Sequence, residues 1–392
     1  MRLLRCTCRR VVLAASLIVL GGCSSITDLV APADVDPPAE LQDITEQVTA
    51  STQWQYDIGV GTDEQQLNLV PAYAAERLFV ADAAGKVSAL DADAGKVIWS
   101  VDLDVQASGG PGLGEGLVLV GTSDAEVVAL SADTGKENWR ARVSSEVLAA
   151  PVAAMGRVIA RTIDGKVFGL DAANGQQKWL YEREIPVLTL RGDSAPVVYR
   201  GSVLCGMAGG KLVALDIVTG NLLWEATVSV PTGRSELERL ADIDGDPLLS
   251  GGVVYVATYQ GNIAALDAAS GSPLWRRKLS SYNGMSADRY NIYASDEEGV
   301  IWALDADNGT ARWKQDALSN RQLSSVVVIG NVVAVGDFEG YVHFLWVEDG
   351  SLIGRTRVGS DPITRGMLVA GDKLFVQGNG GELEALGLAN AR

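Results

Sequence analysis

The sequence is poor in the residues on which most enzyme sites depend. Its single histidine, His343, nearly excludes a His-based catalytic triad or a His-rich zinc site. His343 lies in a strand-like stretch and is predicted to fill a strand position. The segment 242–246 superficially resembles a calcium loop, but its Gly comes too early and Val253 stands where the closing Glu belongs. We therefore predict no catalytic residue, no metal site and no cofactor.

Cysteine is also scarce, with four residues in the chain. Cys6, Cys8 and Cys23 fall within the first 23 residues, which leaves Cys205 alone in the body. An internal disulfide in the body is therefore excluded. Because Cys205 lies in an apolar strand pattern, we predict a small buried hydrophobe and not a nucleophile.

Long apolar runs are missing except at the N-terminus. There, basic residues precede Val11–Leu20, an apolar stretch too short to span a bilayer as a helix. The following Leu20-Gly21-Gly22-Cys23 resembles the lipobox of bacterial lipoprotein precursors. The resemblance implies a signal peptide over residues 1–22 and lipidation (palmitate included) of Cys23, and Ser24 favours the outer membrane. A plain signal peptide that ends near a Cys is the alternative.

Basic residues are too few to balance the acids. The chain has 32 Lys and Arg against 49 Asp and Glu, a net charge of −17. Such a surface repels nucleic acid and anionic membranes, so we assign membrane attachment to the lipid. Residues 23–50 are Pro-rich and acidic in part and predict a lipidated flexible tether. Within it, only Leu41–Val48 could form a short helix.

An internal repeat fills the remainder of the chain. Each phrase joins an apolar strand, a turn framed by Asp and Gly, and a second strand with Trp, as in Ile263–Trp275. Complete phrases end at Trp99, Trp139, Trp179, Trp224, Trp275 and Trp313. A seventh has Gly354 in the Trp position, and an eighth, Leu383–Leu388, breaks off at the end of the chain. With the strands before each phrase, the unit has four strands in about forty residues, the period of a propeller blade.

The unfinished eighth phrase predicts how the ring closes. Ser51–Tyr56 carries Trp54 on a strand with no turn before it. We predict that this strand completes a last blade whose other strands come from about Ile363 to Leu388. The predicted fold is an all-β, eight-bladed β-propeller of four-stranded blades over residues 51–390, which leaves no large open sheet edge. Each Trp is expected to bury its ring between neighbouring blades.

Two family resemblances follow from these motifs. The repeat A-x-D-x-x-[TSN]-G-x-x-x-W resembles that of the pyrroloquinoline-quinone-type propellers, which specifies fold better than function. The repeat is interrupted by longer intervals on either side of Trp224, which contain Pro186–Pro196 and Arg234–Pro247. These stretches are similar to the LxLRGxSxP and RLxDxDxxP stretches of the BamB family of outer-membrane protein assembly lipoproteins. The lipobox, the tether and the eightfold repeat agree with that family.

The resemblance to the BamB family implies a non-enzymatic scaffold in the BAM complex, which assists folding and insertion of outer-membrane proteins. It implies a location on the outer membrane of a Gram-negative bacterium, facing the periplasm. It further implies that the two interrupting loops bind the POTRA region of BamA. Carried over by motif, the contacting residues are Leu188, Leu190, Arg191, Asp242 and Asp244. Exposed strand edges could also pair with unfolded outer-membrane protein substrates.

Two alternatives stay open at this point. Leu188 and Leu190 could be ordinary blade core, with Arg191 and Asp242 as an internal pair. The whole protein could instead be a quinone- or small-molecule-binding propeller, either dehydrogenase-like or a sensor, that uses the central channel. The longer quinone-dependent alcohol dehydrogenases typically carry an adjacent Cys pair, which the body of this chain lacks.

Overall fold

The computed structural model describes residues 36–390, except 185, 187, 190–193 and 236. The described residues form 33 β-strands and no helix, and none of them therefore presents a helix that could cross a membrane. Pro38 onward forms one compact unit. Its strands make eight small sheets, in which the strands pair antiparallel apart from one short addition.

The chain builds the blades in order, each from the innermost strand outward. Two strands, β1 (Val48–Asp57) and β2 (Asn68–Leu69), precede the first complete blade. Blade 1 contains β3 (Ala72–Ala74), β4 (Arg77–Ala81), β5 (Lys86–Asp91) and β6 (Val97–Asp102). Blade 2 contains β7 (Ala107–Gly114), β8 (Leu117–Thr122), β9 (Glu126–Ser131) and β10 (Glu137–Arg142), and β2 adds to β7 as a parallel fifth strand. Blade 3 contains β11 (Val152–Ala154), β12 (Arg157–Arg161), β13 (Val167–Asp171) and β14 (Gln177–Tyr181).

The later blades repeat this pattern. Blade 4 contains β15 (Val197–Tyr199), β16 (Ser202–Met207), β17 (Lys211–Asp216) and β18 (Leu222–Thr227). Blade 5 contains β19 (Leu248–Ser250), β20 (Val253–Ala257), β21 (Asn262–Asp267) and β22 (Pro273–Lys278). Blade 6 contains β23 (Ser286–Ala287), β24 (Asn291–Ser295), β25 (Ile301–Asp305) and β26 (Ala311–Gln315). Blade 7 contains β27 (Val327–Ile329), β28 (Val332–Gly336), β29 (Tyr341–Trp346) and β30 (Leu352–Arg357).

The eighth blade joins the two ends of the chain. Its inner strands are β31 (Met367–Ala370), β32 (Lys373–Gln377) and β33 (Glu382–Asn390), and β1 is the outer strand. The pairing of β1 with β33 is antiparallel and runs from Val48 opposite Asn390 to Asp57 opposite Glu382. The predicted eight-bladed propeller and its closure are therefore confirmed. The closing strand begins at Val48, three residues before the predicted start.

The blades are linked by the repeated Trp and Gly residues. Gly271 adopts φ +71°, and a Cβ atom there would lie 2.5 Å from the ring of Trp224 in the preceding blade. The indole N–H of Trp275 donates to the carbonyl of Ala306 in the following blade, at 2.8 Å. Within the turn, Asp267 accepts a hydrogen bond from the backbone N–H of Ser270 at 2.8 Å. The expectation that the Trp rings pack between neighbouring blades is confirmed.

The segment before β1 differs from its prediction. Leu41–Val48, the one segment that could have formed a short helix, does not do so: it is irregular until β1 begins. Its backbone bonds go to distant blades instead: Ala39 N–H donates to Ser319 O at 2.9 Å, and Gln47 N–H donates to Ile353 O at 2.7 Å. Residues 38–47 of the predicted tether thus lie against the body. A flexible tether stays a prediction for the residues before them.

Candidate functional site

The structure describes part of the predicted site. Leu188, Asp242 and Asp244 lie among the described residues. Cys23, Leu190 and Arg191 lie outside them, and their predicted roles are untested by the structure.

The first interrupting loop connects β14 of blade 3 to β15 of blade 4. Leu188 on this loop is 41% exposed, so the alternative that placed its side chain in the blade core is wrong. The end of the loop is bonded to the second loop. Ala195 N–H donates to the Asp246 carboxylate at 2.6 Å, and the Ser194 hydroxyl donates to Gly245 O at 3.2 Å. These two bonds hold the loops together as one surface.

The second loop connects β18 to β19 and has a buried half, residues 240–245. Ile243 is fully buried and packs with Leu204 and Leu212 of blade 4. Asp242 is 3% exposed and accepts a hydrogen bond from Gly209 N–H in the turn between β16 and β17, at 2.8 Å. Asp244 is 5% exposed. The two carboxylates that the motif assigned to partner contact are therefore buried within the protein. Asp242 fixes the position of the loop through its bond to Gly209.

The other half of the second loop presents apolar side chains that the motif comparison missed. Val230 and Leu237 are each 63% exposed. The loop is held by its own bonds, since Arg239 Nε donates to Gly233 O at 3.1 Å, and Glu238 accepts from Arg234 N–H at 2.6 Å. The available sequence signal was weak: these residues are apolar but lie in an interval where the strand repeat is interrupted.

A groove of about 420 Å³ lies beside this half of the loop, between blades 5 and 6. Gln260 connects the two features, because its side-chain amide lies 3.3 Å from the carbonyls of Leu237 and Glu238 and donates to both in the amide orientation that satisfies its hydrogen bonding. Charged side chains of both signs line the groove, among them Lys278 and Glu297. The exposed apolar residues are thus bordered by polar ones, the usual pattern of a protein-binding surface.

Cys205 and His343, two side chains of the body that could take part in catalysis, are both fully buried. The Cys205 thiol is fully buried, and this burial raises its pKa to about 12, so the thiol stays protonated and unreactive. His343 is fully buried, with its Nε2 atom 2.9 Å from Asp337 Oδ2 and its Nδ1 atom 3.2 Å from Arg355 Nε. Among the described residues, no three His, Cys, Asp or Glu side chains are grouped so that they could hold a metal ion.

A second cavity, of about 490 Å³, lies between blades 6, 7 and 8 and the segment that joins β1 to β2. Amide side chains line much of it, including Gln65, Asn283, Gln322 and Asn379, together with Arg365. Its volume falls within the range of small-molecule sites, which the small-molecule alternative requires.

The fold defines the class first: an eight-bladed propeller of the quinoprotein repeat type. Quinohemoprotein alcohol dehydrogenase from Comamonas testosteroni superimposes with a TM-score of 0.67 at 15% identity, over 86% of this chain and 76% of that chain, a likeness that shows the fold alone. The crystal structure of BamB from Moraxella catarrhalis superimposes with a TM-score of 0.79 at 27% identity, over 86% of this chain and 100% of that chain.

The sequence comparisons then give the family. The chain is 51% identical over 349 residues to outer membrane protein assembly factor BamB of Pseudomonas aeruginosa, covering 89% of this chain and 92% of that protein. It is 35% identical over 381 residues to BamB of Escherichia coli, covering 95% and 96%. The family profile described as outer membrane protein assembly factor BamB matches residues 43–111 and 83–315. The chain belongs to the BamB family.

Proposed function

We propose that this protein is a non-enzymatic scaffold of the outer-membrane β-barrel assembly machinery. In this proposal, residues 1–22 are removed as a signal peptide and lipidated Cys23 anchors the protein to the outer membrane, with the propeller facing the periplasm. The names of its relatives, outer membrane protein assembly factors, support this role. A rigid ring that carries one loop surface suits a scaffold, because it can present fixed contacts to a partner.

The partner surface consists of the two loops that flank Trp224, and its partner is the POTRA region of BamA. The observation that carries this assignment is the exposure of Leu188 and Leu237 on loops that Asp246 and Ser194 bond together. Exposed apolar side chains on a fixed backbone are effective anchors because their burial removes apolar area from water at little ordering cost. Leu190 and Arg191 extend this surface by the motif resemblance.

Asp242 and Asp244 have a supporting role in this proposal. Both are buried, and Asp242 holds the turn at Gly209. Their substitution is expected to weaken partner binding by displacing the loop, not by removal of a direct contact. Nascent outer-membrane proteins could in addition pair with exposed blade edges by strand addition.

The test is co-purification of BamA from solubilised membranes. Because Leu188 and Leu237 are exposed, Leu188→Ala/Leu237→Ala is expected to fold normally and to recover BamA about tenfold less than wild type. Leu190→Ala/Arg191→Ala is expected to show the same loss. Leu223→Ala is the matched control, since Leu223 is 55% exposed near the start of β18, whereas the second loop continues from the other end of that strand. If both double variants recovered as much BamA as wild type, the assignment of the two loops as the partner surface would be wrong.

The anchor and the absence of catalysis are tested separately. Cys23→Ser is expected to release the protein from membranes into the soluble periplasmic fraction, and retention on the membrane would contradict lipidation at Cys23. Incubation of the purified protein with pyrroloquinoline quinone and calcium is expected to give neither stoichiometric binding nor alcohol oxidation. Turnover in that assay would favour the dehydrogenase-like alternative.

A further inference from the structure

Residues 38–47, which we name the strap, lie across blades 6 and 7 before the chain enters β1. The strap is bonded at both ends, by Ala39 N–H to Ser319 O at 2.9 Å and by Gln47 N–H to Ile353 O at 2.7 Å. Between these points, Leu41 packs at the edge of an apolar cluster formed by blades 6 and 7. An irregular segment held at fixed points and lacking sheet partners is the kind of element that opens locally.

Two arginines also bind carbonyl groups of the strap. Arg321 Nη1 donates to Ala39 O at 3.0 Å, and Arg355 Nη2 donates to Gln42 O at 3.2 Å. Arg321 is itself buried and donates from Nε to the fully buried Asp337 carboxylate at 2.8 Å. The strap is therefore fastened to a charged cluster inside blade 7 and not only to its surface.

His343 joins the second arginine to the same carboxylate. Its Nε2 lies 2.9 Å from Asp337 Oδ2, and its Nδ1 accepts a hydrogen bond from Arg355 Nε at 3.2 Å. Because Nδ1 is an acceptor, the imidazole is neutral and carries its proton on Nε2, which donates to Asp337. A second proton would have to bind at Nδ1, where it would face the Arg355 N–H. Protonation therefore breaks the bond to Arg355 and places two cations side by side in a buried site.

The surrounding charges determine where this titration falls. The loop from blade 6 contributes Arg321, and blade 7 itself contributes Asp337, Arg355 and Glu339, which pairs with Arg321. The ring of Tyr341 lies over Arg355 and beside His343, and Asp43 of the strap attracts Arg355. Burial lowers the pKa of His343, although contact with Asp337 opposes the shift. Protonation in the folded protein thus requires a pH below the ordinary histidine range.

We propose that the cluster of Arg321, Asp337, His343 and Arg355 is a latch that holds the strap on blade 7 and releases it in acid. The consequence for tether length rests on the proposed lipid anchor at Cys23. With the latch closed, residues 24–37 alone separate the lipid from the propeller. Opening adds the strap, which extends the reach by up to about 35 Å. The latch therefore controls how far and in which direction the partner-binding loops can move from the membrane.

Hydrogen exchange of the full-length protein in detergent, followed by mass spectrometry, tests the latch. The amides of Ala39 and Gln47 report on the strap, and those of β28 report on the fold. From about pH 7.5 to about pH 4, with intrinsic rates corrected, protection of the strap is expected to fall by about tenfold or more while β28 stays protected. Constant strap protection across this range would overturn the proposal.

Three variants separate the latch from general acid effects. His343→Gln retains a neutral donor and acceptor, so its strap protection is expected to be independent of pH. Arg355→Gln is expected to lose strap protection at every pH. Arg357→Gln is the matched control, because Arg357 lies on the same strand and donates to Glu339 O instead of the strap. Acid release in His343→Gln equal to wild type, or wild-type protection in Arg355→Gln, would refute the latch.

These measurements need neither a membrane nor BamA. Failure of the latch would therefore leave the scaffold proposal intact. Failure of the co-purification experiment would in turn leave the exchange result unaffected. In both His343 and Arg355 variants, protection of β28 shows whether the propeller has folded, so a misfolded variant is recognised directly.

Discussion

The turn glycines of the repeat meet two separate demands. The positive φ of Gly271 is a conformation that L residues adopt at a cost of about 1–2 kcal/mol. The space above its Cα is also occupied by the Trp224 ring. Gly251 in the same blade meets only the first demand, because its φ is +58° and a Cβ atom added there would have no neighbour within 4 Å. The pair therefore separates backbone strain from the inter-blade contact.

We predict that Gly271→Ala destabilises the protein by about 3 kcal/mol or more, because the added methyl must displace an aromatic ring between two blades. Gly251→Ala is expected to cost about 1–2 kcal/mol, the backbone contribution alone. Urea unfolding followed by Trp fluorescence measures both values. Equal losses in the two variants would show that contact with Trp224 contributes little to stability.

Residue roles at the candidate site were only partly predictable from sequence. The motif resemblance correctly drew attention to the loop of Leu188, whose side chain is exposed. It could not show that Asp242 is buried, because burial depends on Gly209, a residue of another turn that the loop folds over. A hydrophobic residue between two acids, Ile243, was the local indication that this half of the loop faces inward.

Among the complete blades, blade 7 is the one that lacks the repeated Trp. Its outer strand, β30, has Gly354 where the other complete phrases have Trp. Blade 8 has no Asp–Gly turn for such a Trp to contact, because its third and fourth strands come from opposite ends of the chain. The start of β1 occupies the space instead, and a Cβ on Gly354 would lie 2.3 Å from the Val48 carbonyl oxygen. The missing Trp and the split blade are thus one feature.

It follows that restoring the repeat at this position is harmful. Gly354→Trp, although it matches the consensus, is expected to destabilise the protein by about 3 kcal/mol or more, because its Cβ and ring require β1 to move. The loss should appear as a lower melting temperature and as faster hydrogen exchange at the start of β1. A variant as stable as wild type would show that Val48 is not held against blade 7.

The strands were predictable from sequence and the strap was not, for one physical reason. Apolar alternation and turn residues are local signals, so blades built from neighbouring strands can be read from the chain. The strap donates hydrogen bonds to Ser319 and Ile353 and accepts them from Arg321 and Arg355. All four partners are remote from the strap in sequence. The apolar spacing of Leu41–Val48 is compatible with a short helix, and the local sequence contains no sign of the distant partners that hold the segment in an irregular conformation.

At the scale of the whole molecule, the blade that contains the two chain ends is closed by the same strand pairing as the other blades. The register of β1 and β33 places Val48 opposite Asn390, so the two ends meet as the two strands of a hairpin would. In every complete blade, a short turn such as residues 268–272 joins the equivalent strands. In blade 8, strand pairing therefore takes the place of the turn that joins the third and fourth strands elsewhere. The chain ends could equally lie in another blade of the ring.

We therefore predict that a circular permutant folds when Asn390 is joined to Val48 through a copy of turn 268–272 and new ends are opened between Gly251 and Gly252. That turn is exposed at Gly251 and has no packed neighbour there. The matched permutant, opened beside Gly271, loses the support of Trp224 and is expected to melt at a lower temperature. Both lack the strap, so their difference reports only the position of the opening. Circular dichroism and thermal melting measure the outcome, and failure of the first permutant to fold would show that the native break in blade 8 is required.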